Sequence, residues 1–192
     1  MEIAVAKEYR RNRIHPKKFA LYVACASIVM MFAAFTSAYI VRQSAGNWLE
    51  FRMPTLFYVN TLVMLLSSIT LHASYWSFKK GNSGLYKGLL VVTLLLGFAF
   101  LALQYEAWQS LVAIGIELTT NPSGSFVYVI SGLHAAHILA GIGALIIALI
   151  HAFVLKYQVT DGRKLRFEMT LTYWHFVGVL WIYLLLFFTL QS

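Results

Sequence analysis

Long runs without charged residues alternate with short basic segments along this chain. Four of these runs cover residues 19–41, 53–78, 88–105 and 169–192, and a fifth covers residues 118–155. About 20 consecutive apolar residues are enough for a helix to cross the roughly 30 Å hydrocarbon core of a bilayer. The pattern therefore predicts an all-α, polytopic membrane protein with five transmembrane helices.

These helices are expected to form a single transmembrane domain over residues 18–192, preceded by a basic cytoplasmic segment at residues 1–17. The five predicted helices cover residues 18–41, 54–78, 86–112, 126–155 and 169–190. Only 11% of the residues are charged, whereas about a quarter are charged in a soluble domain. The N-terminus is not expected to be a cleaved signal, because the apolar run after it exceeds the roughly 7–15 residues of the apolar region of a signal peptide.

The distribution of Lys and Arg predicts the orientation of the helices. All but two of the 15 Lys and Arg residues lie before the first helix, between the second and third, or between the fourth and fifth; the exceptions are Arg42 and Arg52. Because cytoplasmic segments carry the excess of Lys and Arg, the N-terminus is predicted to be cytoplasmic and the C-terminus periplasmic. The net charge of +8 then reflects contact with anionic lipid, and no nucleic-acid partner is predicted.

Polar side chains of the third and fourth helices are expected to lie in the outer part of the membrane. Gln104 and Glu106 lie about 26–28 Å beyond Lys87 along a helix. His134 and His137 are close to one turn apart, on the same side of the next helix. A carboxylate at this depth needs a donor, so we predict that Gln104 or Glu106 hydrogen-bonds to His134 or His137.

The histidines His72, His151 and His175 are expected near the cytoplasmic ends of three different helices. Such histidines fit hydrogen bonds between helices, axial ligation of haem, or a metal site with carboxylate or thiolate ligands. The structural role is favoured because this layer has no intramembrane carboxylate and no haem-attachment motif, so no catalytic, cofactor or metal residue is predicted. An alternative from another class is a di-haem b-type electron carrier that uses these three histidines and His137.

Small residues occupy every fourth position over most of the fourth helix. The row consists of Gly132, Ala136, Ala140, Ala144, Ala148 and Ala152. Small residues let helix backbones approach closely in a membrane. The row is therefore expected to pack against a neighbouring helix, whereas Leu145 would tolerate a larger residue if its side of the helix faces lipid.

The last helix begins with a dense group of aromatic and ionisable residues. The group consists of Phe167, Glu168, Tyr173, Trp174, His175, Phe176, Val177 and Trp181. Ionisable groups are costly in hydrocarbon, so Glu168 and His175 each require a partner. The spacing resembles the F-E-x-x-x-x-Y-W-H-F-V motif, followed by a Trp, of subunit III of haem-copper terminal oxidases.

Earlier segments resemble the same family in order and spacing. They are Ser131-Gly132-x-His134-x-x-His137, Leu96-Gly97-x-x-Phe100-x-x-x-Gln104, Asn60-Thr61 and Gly81-Asn82. Three positions depart from the family pattern. Glu106 follows Gln104 one residue early, Gly178 stands where an Asp often follows the last motif, and Ile28 stands where many members have a buried Glu. A role of that Glu in proton uptake is therefore not transferred to this chain.

The resemblance implies the five-helix prokaryotic form of this subunit, in the bacterial cytoplasmic (inner) membrane. It implies a cofactor-free accessory subunit of a cytochrome c oxidase complex, with the haems and copper in partner subunits I and II. Such a subunit packs on subunit I, binds phospholipids and supports electron transfer to O2 coupled to proton translocation; a larger respiratory supercomplex is a further candidate partner. Subunit III of a quinol oxidase and the accessory subunit of nitric oxide reductase share these features and remain alternatives.

The cation bias predicts that a reporter fused to the C-terminus lies in the periplasm. Alkaline phosphatase, which requires export, should be active there, and a fluorescent protein that matures only in the cytoplasm should stay dark. A fusion after Asn82, between the second and third helices, is the control and should give the opposite result. Fluorescence from the C-terminal fusion would contradict the five-helix topology.

Overall fold

A computed structural model describes residues 15–119 and 121–191 and has five helices in that part of the chain. They are α1 (Pro16–Ser44), α2 (Thr55–Lys79), α3 (Ser83–Ala113), α4 (Pro122–Val154) and α5 (Asp161–Gln191). All five are long and apolar enough to cross a membrane, and the described ranges contain no strand. The predicted all-α, five-helix fold class is confirmed, while the orientation stays a prediction. Most of the predicted basic segment, residues 1–17, falls outside the described residues.

Three helices begin at least three residues earlier than the hydrophobic pattern predicted. The side chain of Asn82 accepts a hydrogen bond from the backbone of α3, and that of Asn121 does the same for α4, whose first residue is Pro122. Asn at the N-cap and Pro at the first position both favour a helix start. Helix α5 begins eight residues early, at Asp161, because a helix can continue into water beyond the apolar residues that revealed it.

Helices α2, α3, α4 and α5 form a closed ring in which each contacts the next and α5 contacts α2. This is a four-helix bundle whose neighbours are joined by short connections, the arrangement expected for antiparallel neighbours. Among the described residues, α1 contacts only α4 and α5. The fifth helix therefore lies outside the ring, against one of its edges.

The buried side of α2 alternates large apolar residues with polar ones. Seven of its nine buried positions are separated by three and four residues in turn: Phe57, Asn60, Met64, Ser67, Leu71, Ser74 and Phe78. On α5, aromatic residues recur every seven positions on the buried side: Phe167, Trp174, Trp181 and Phe188. A seven-residue repeat is typical of helices that pack with a left-handed twist. It brings the two tryptophans of α5 to the centre of the ring.

Trp174 fills a space that two glycines leave open. A Cβ atom on Gly97 of α3 or on Gly141 of α4 would lie 3.0 Å from ring atoms of Trp174. The indole Nε1 donates a hydrogen bond to Ser67 Oγ on α2, at 3.0 Å. A single fully buried side chain thus contacts the three other helices of the ring.

Trp181 has the same role two turns further along α5. Its Nε1 donates to Thr61 Oγ1 on α2 at 3.0 Å, and its ring stacks on Phe57. Phe100 of α3 meets the ring edge-on, with centroids 5.2 Å apart, and His134 of α4 stacks on it at 5.1 Å. All four helices of the ring therefore meet at each tryptophan.

Polar contacts attach α1 to α5 along its length. Lys18 Nζ donates to Glu168 Oε2 at 2.6 Å near one end, and the hydroxyls of Thr36 and Tyr183 lie 2.9 Å apart towards the other. Within a membrane the hydrophobic effect does not drive helices together. These contacts therefore matter more for α1 than for the helices of the ring, which share a larger packed interior.

The predicted packing of the small-residue row is only partly observed within this chain, where Ala148 packs against the core and Ala152 is buried. Ala136 and Ala140 are exposed and Ala144 is half-buried, whereas Leu145 is fully buried and does not face lipid. The buried side of α4 instead includes Gly141, which contacts Trp174. A row of small residues is compatible with an open groove as well as with a packed helix, so its composition did not decide between them.

We predict that Gly141→Ala destabilises the protein relative to Gly143→Ala on the same helix. The new Cβ at residue 141 would lie 3.0 Å from two ring atoms of Trp174, whereas at residue 143 nothing lies within 4 Å. Overpacking of this kind costs about 1–3 kcal/mol, and the helix-propensity gain of Ala is shared by both variants. The measurement is the thermal unfolding midpoint in detergent. Equal midpoints for the two variants would show that the Trp174 site is loosely packed.

Candidate functional site

The carboxylate of Glu168 joins three helices at the end of the bundle where α2 ends and α5 begins. One oxygen accepts from Lys18 Nζ of α1 at 2.6 Å, and the other accepts from the hydroxyl of Tyr75 of α2. The ammonium of Lys79 lies 4.9 Å from the centre of the Tyr75 ring. About a third of each ion-pair side chain is exposed, so we expect the pair to position α1 more than to stabilise the fold.

Only two of the three histidines predicted for this end come together. The rings of His72 and His175 have centroids 5.8 Å apart, and Trp76 Nε1 donates to His72 Nε2 at 3.1 Å. His151 instead lines two other grooves, both of which it shares with Arg166. The three histidines are therefore divided into a pair, on the surface between α2 and α5, and a separate residue, His151.

The outer polar layer pairs different residues from those predicted. Asn60 Nδ2 of α2 donates to Gln104 Oε1 of α3 at 2.9 Å, and both side chains are buried. Glu106 is exposed on α3. In the described part of the chain, neither ring nitrogen of His134 has a hydrogen-bond partner, and His137 Nδ1 lies 2.7 Å from the carbonyl oxygen of Leu133 in its own helix. The predicted bond between Gln104 or Glu106 and either histidine is wrong.

The reason for this error is the direction of the side chains around each helix. Residue counting placed Gln104 and His134 at similar depths, and the structure does bring both near the centre of the bundle. Gln104 points to α2, however, while His134 lies among aromatic rings of α1, α3 and α5, namely Phe32, Phe100 and Trp181. Depth alone does not determine which neighbour a side chain meets.

The sequence analysis named Asn60 and Thr61 only for a family resemblance and missed the role of the polar residues of α2 as hydrogen-bond partners. Asn60, Ser67 and Ser74 recur every seven residues, and each is buried and hydrogen-bonded to another helix. This spacing within an otherwise apolar helix was a readable signal, because seven residues are close to two helical turns. Thr61, the partner of Trp181, follows the first of them directly.

Two apolar grooves run along the sides of α5. One, of about 570 Å³, lies between α1, α4 and α5 and is lined by Ala140, Ala144 and Ala148 of the small-residue row, with Lys17 and Arg166 at one end. The other lies between α2 and α5 and contains the pair His72 and His175. In the part of the chain that the structure describes, no three His, Cys, Asp or Glu side chains come close enough together to hold a metal ion.

The comparisons with known proteins identify one family over nearly the whole chain. The sequence profile described as cytochrome c oxidase subunit III matches residues 17–191, nearly the whole chain. The chain belongs to the cytochrome c oxidase subunit III family. Trp174 and Trp181, which hold the ring together, are thus the tryptophans of the family motif in this chain.

Individual relatives of this family are similar over different shares of their length. A protein of Nocardia farcinica named as a probable cytochrome c oxidase subunit 3 is 28% identical over 181 residues, which cover 89% of this chain and 86% of the relative. The subunit 3 of Corynebacterium diphtheriae is 27% identical, with the same coverage. The subunit 3 of Allomyces macrogynus is 32% identical over 70% of this chain. The chain spans about half the length of that relative, 46%.

We predict that Asn60 and Gln104 are energetically coupled. Replacing either residue with Ala leaves the other buried without its partner, which costs about 1–3 kcal/mol. The double variant should therefore lose less stability than the sum of the two single variants. Thermal unfolding in detergent measures each loss. Gln104→Ala combined with Ser74→Ala, whose partner is the Tyr86 carbonyl, is the control and should be additive.

Proposed function

We propose that the chain is subunit III of a bacterial cytochrome c oxidase and acts as an accessory subunit in the cytoplasmic membrane. The match of the family profile to residues 17–191 carries the proposal. The two actinobacterial relatives, which align over most of both chains, have names that favour a cytochrome c oxidase over a quinol oxidase or nitric oxide reductase. The five long apolar helices fit a multi-pass membrane subunit.

The environment of the histidines supports a structural role for this chain within the oxidase. His137 bonds to its own helix, His72 accepts from Trp76, and His134 lies within an aromatic cluster. Each of these side chains is used in packing or hydrogen bonding between or within helices. In this proposal the haems and copper belong to subunits I and II, and the chain stabilises their electron transfer to O2 by packing on subunit I.

The groove between α1, α4 and α5 supports a phospholipid-binding role. Lys17 and Arg166 lie at its cytoplasmic end in the predicted orientation, and Leu21, Ala140 and Ala144 line its apolar part. Cationic side chains at the membrane surface attract anionic headgroups. We expect one phospholipid to bind with its phosphate near the two cations and an acyl chain along the alanines. An acyl chain at this position would explain why the alanines of the small-residue row line an open groove.

Co-purification tests this function directly. The tagged chain, expressed with the other genes of its oxidase and isolated in mild detergent, should bring subunits I and II with their haems and copper. Replacing His72, His151 or His175 with Gln should leave the haem and copper content of the complex unchanged, because Gln keeps hydrogen bonding but is a poor metal ligand. The complex should also retain phospholipid, and Lys17→Gln with Arg166→Gln should lower the retained amount.

Three other results would contradict the proposal or a part of it. Isolation of the chain without any oxidase subunit would contradict the proposal. A Soret band from the chain purified alone, lost in the histidine variants, would support the di-haem carrier instead. Equal phospholipid content in the charge variant and the unaltered complex would remove the lipid-binding role and leave the subunit assignment intact.

A further inference from the structure

The groove between α2 and α5 extends along much of the bundle. Two adjoining cavities of about 530 and 230 Å³ share Leu65, Ser68 and His175 in their walls. Together they reach from Thr61 to Trp76 on α2, about 22 Å at 1.5 Å per residue. This is most of the roughly 30 Å thickness of the hydrocarbon core. The groove is therefore long enough to receive a helix that crosses the membrane.

The floor of the groove consists of small residues, so the backbone of a further helix could come close to α2 and α5. Small residues line it on both sides: Ser68 and Ala73 on α2, and Gly178 on α5. A Cβ on Gly178 would lie 3.4 Å from Ser68 Oγ, so α2 and α5 come close together here. Small residues at such a position allow the backbone of a further helix to approach.

The only ionisable side chains lining this groove, within the described residues, are the imidazoles of His72 and His175. His72 lies seven residues before Lys79, and His175 lies seven residues after Glu168, so each is about 10 Å from the end of the apolar region. His72 is exposed and His175 is half-buried. The pair therefore presents polar groups at a depth where lipid offers only hydrocarbon.

The hydrogen bond from Trp76 determines what His72 can offer to a ligand. Trp76 Nε1 donates to His72 Nε2, so a neutral imidazole carries its proton on Nδ1. Neither that Nδ1 nor a ring nitrogen of His175 has a hydrogen-bond partner among residues 15–119 and 121–191. Acyl chains cannot accept the hydrogen bond, and headgroup oxygens lie nearer the surface. A protein side chain with an acceptor oxygen can satisfy it.

We propose that the groove between α2 and α5 is the docking site for a transmembrane helix of subunit I that places a hydrogen-bond acceptor opposite the His72–His175 pair. The acceptor is a carboxylate, amide or hydroxyl oxygen. The proposal rests on the proposed function and names the face through which the chain packs on subunit I. The surrounding apolar residues supply the contact area, and the imidazole pair determines the register of the incoming helix.

Photo-crosslinking in intact membranes tests the location of this face. A photoreactive residue at position 69 or 179 replaces side chains that are 64% and 67% exposed beside the groove, and position 95 on α3, 61% exposed, is the matched control. Positions 69 and 179 should crosslink to subunit I, and position 95 should not. Crosslinks from 69 and 179 only to lipid or to a second copy of this chain, or crosslinks to subunit I only from 95, would overturn the proposal.

Substitution of the imidazoles tests the polar contact. His72→Leu with His175→Leu should raise the fraction of the chain released from the complex by about 3- to 20-fold in a detergent titration, the effect expected for an interhelical hydrogen bond in a membrane. His72→Asn with His175→Asn should release less, because Asn retains a donor. Gln109→Leu, at an exposed position of α3, is the control. Equal release from all three variants would overturn the polar contact.

Two further measurements keep the outcomes distinct. The thermal unfolding midpoint of each variant chain alone separates lost docking from lost folding. It should fall only slightly, because the hydrogen bond between Trp76 and His72 joins two exposed side chains. Co-purification of the unaltered chain with subunits I and II tests the proposed function by itself. If co-purification succeeds while the crosslinks to subunit I come from another face of the chain, the subunit assignment stands and the docking site is wrong.

Discussion

The structure depends on two indole rings that must be enclosed by four helices at once. Within a bilayer the helices gain nothing from leaving lipid, so close packing and hydrogen bonds hold them together. Trp174 and Trp181 supply both, because each ring fills the bundle axis and each Nε1 donates to a hydroxyl of α2. Gly97 and Gly141 are required next to Trp174 since a Cβ at either position would crowd its ring.

This constraint explains why α2 is polar where it is most buried. A buried indole N–H without an acceptor would cost about 1–3 kcal/mol, so Ser67 and Thr61 must face α5. The same side of the helix carries Asn60 and Ser74, which bond to α3. The outward side is left to residues such as Leu62 and Ile69, which are mostly exposed. This helix therefore carries polar residues on its buried side and mostly apolar ones on its outward side.

That reversal decides how much of the fold the sequence could predict. The number of helices followed from their apolar length alone, and the family motif marked the helix that holds the bundle together. The rotation of each helix did not follow, because an apolar surface facing lipid hides the stripe that a soluble helix would show. Ala136 was therefore expected in a helix contact although it is exposed, and the side of the helix that carries Leu145, which is buried, was left open. Predicting the pairing of Gln104 with Asn60 would also have required the rotation of each helix about its axis.

Helix α5 separates two surfaces with different chemistry. At about 100° per residue, Arg166 and Tyr173 of the α1 groove point away from His175 and Ile182 of the α2 groove, with Trp174 between them facing the centre. One groove ends in cations and suits an anionic headgroup; the other contains two imidazoles below the surface and suits a protein acceptor. Because the same helix fixes both surfaces against one core, a change that rotates α5 around its tryptophans would disturb the proposed lipid site and the proposed docking site together.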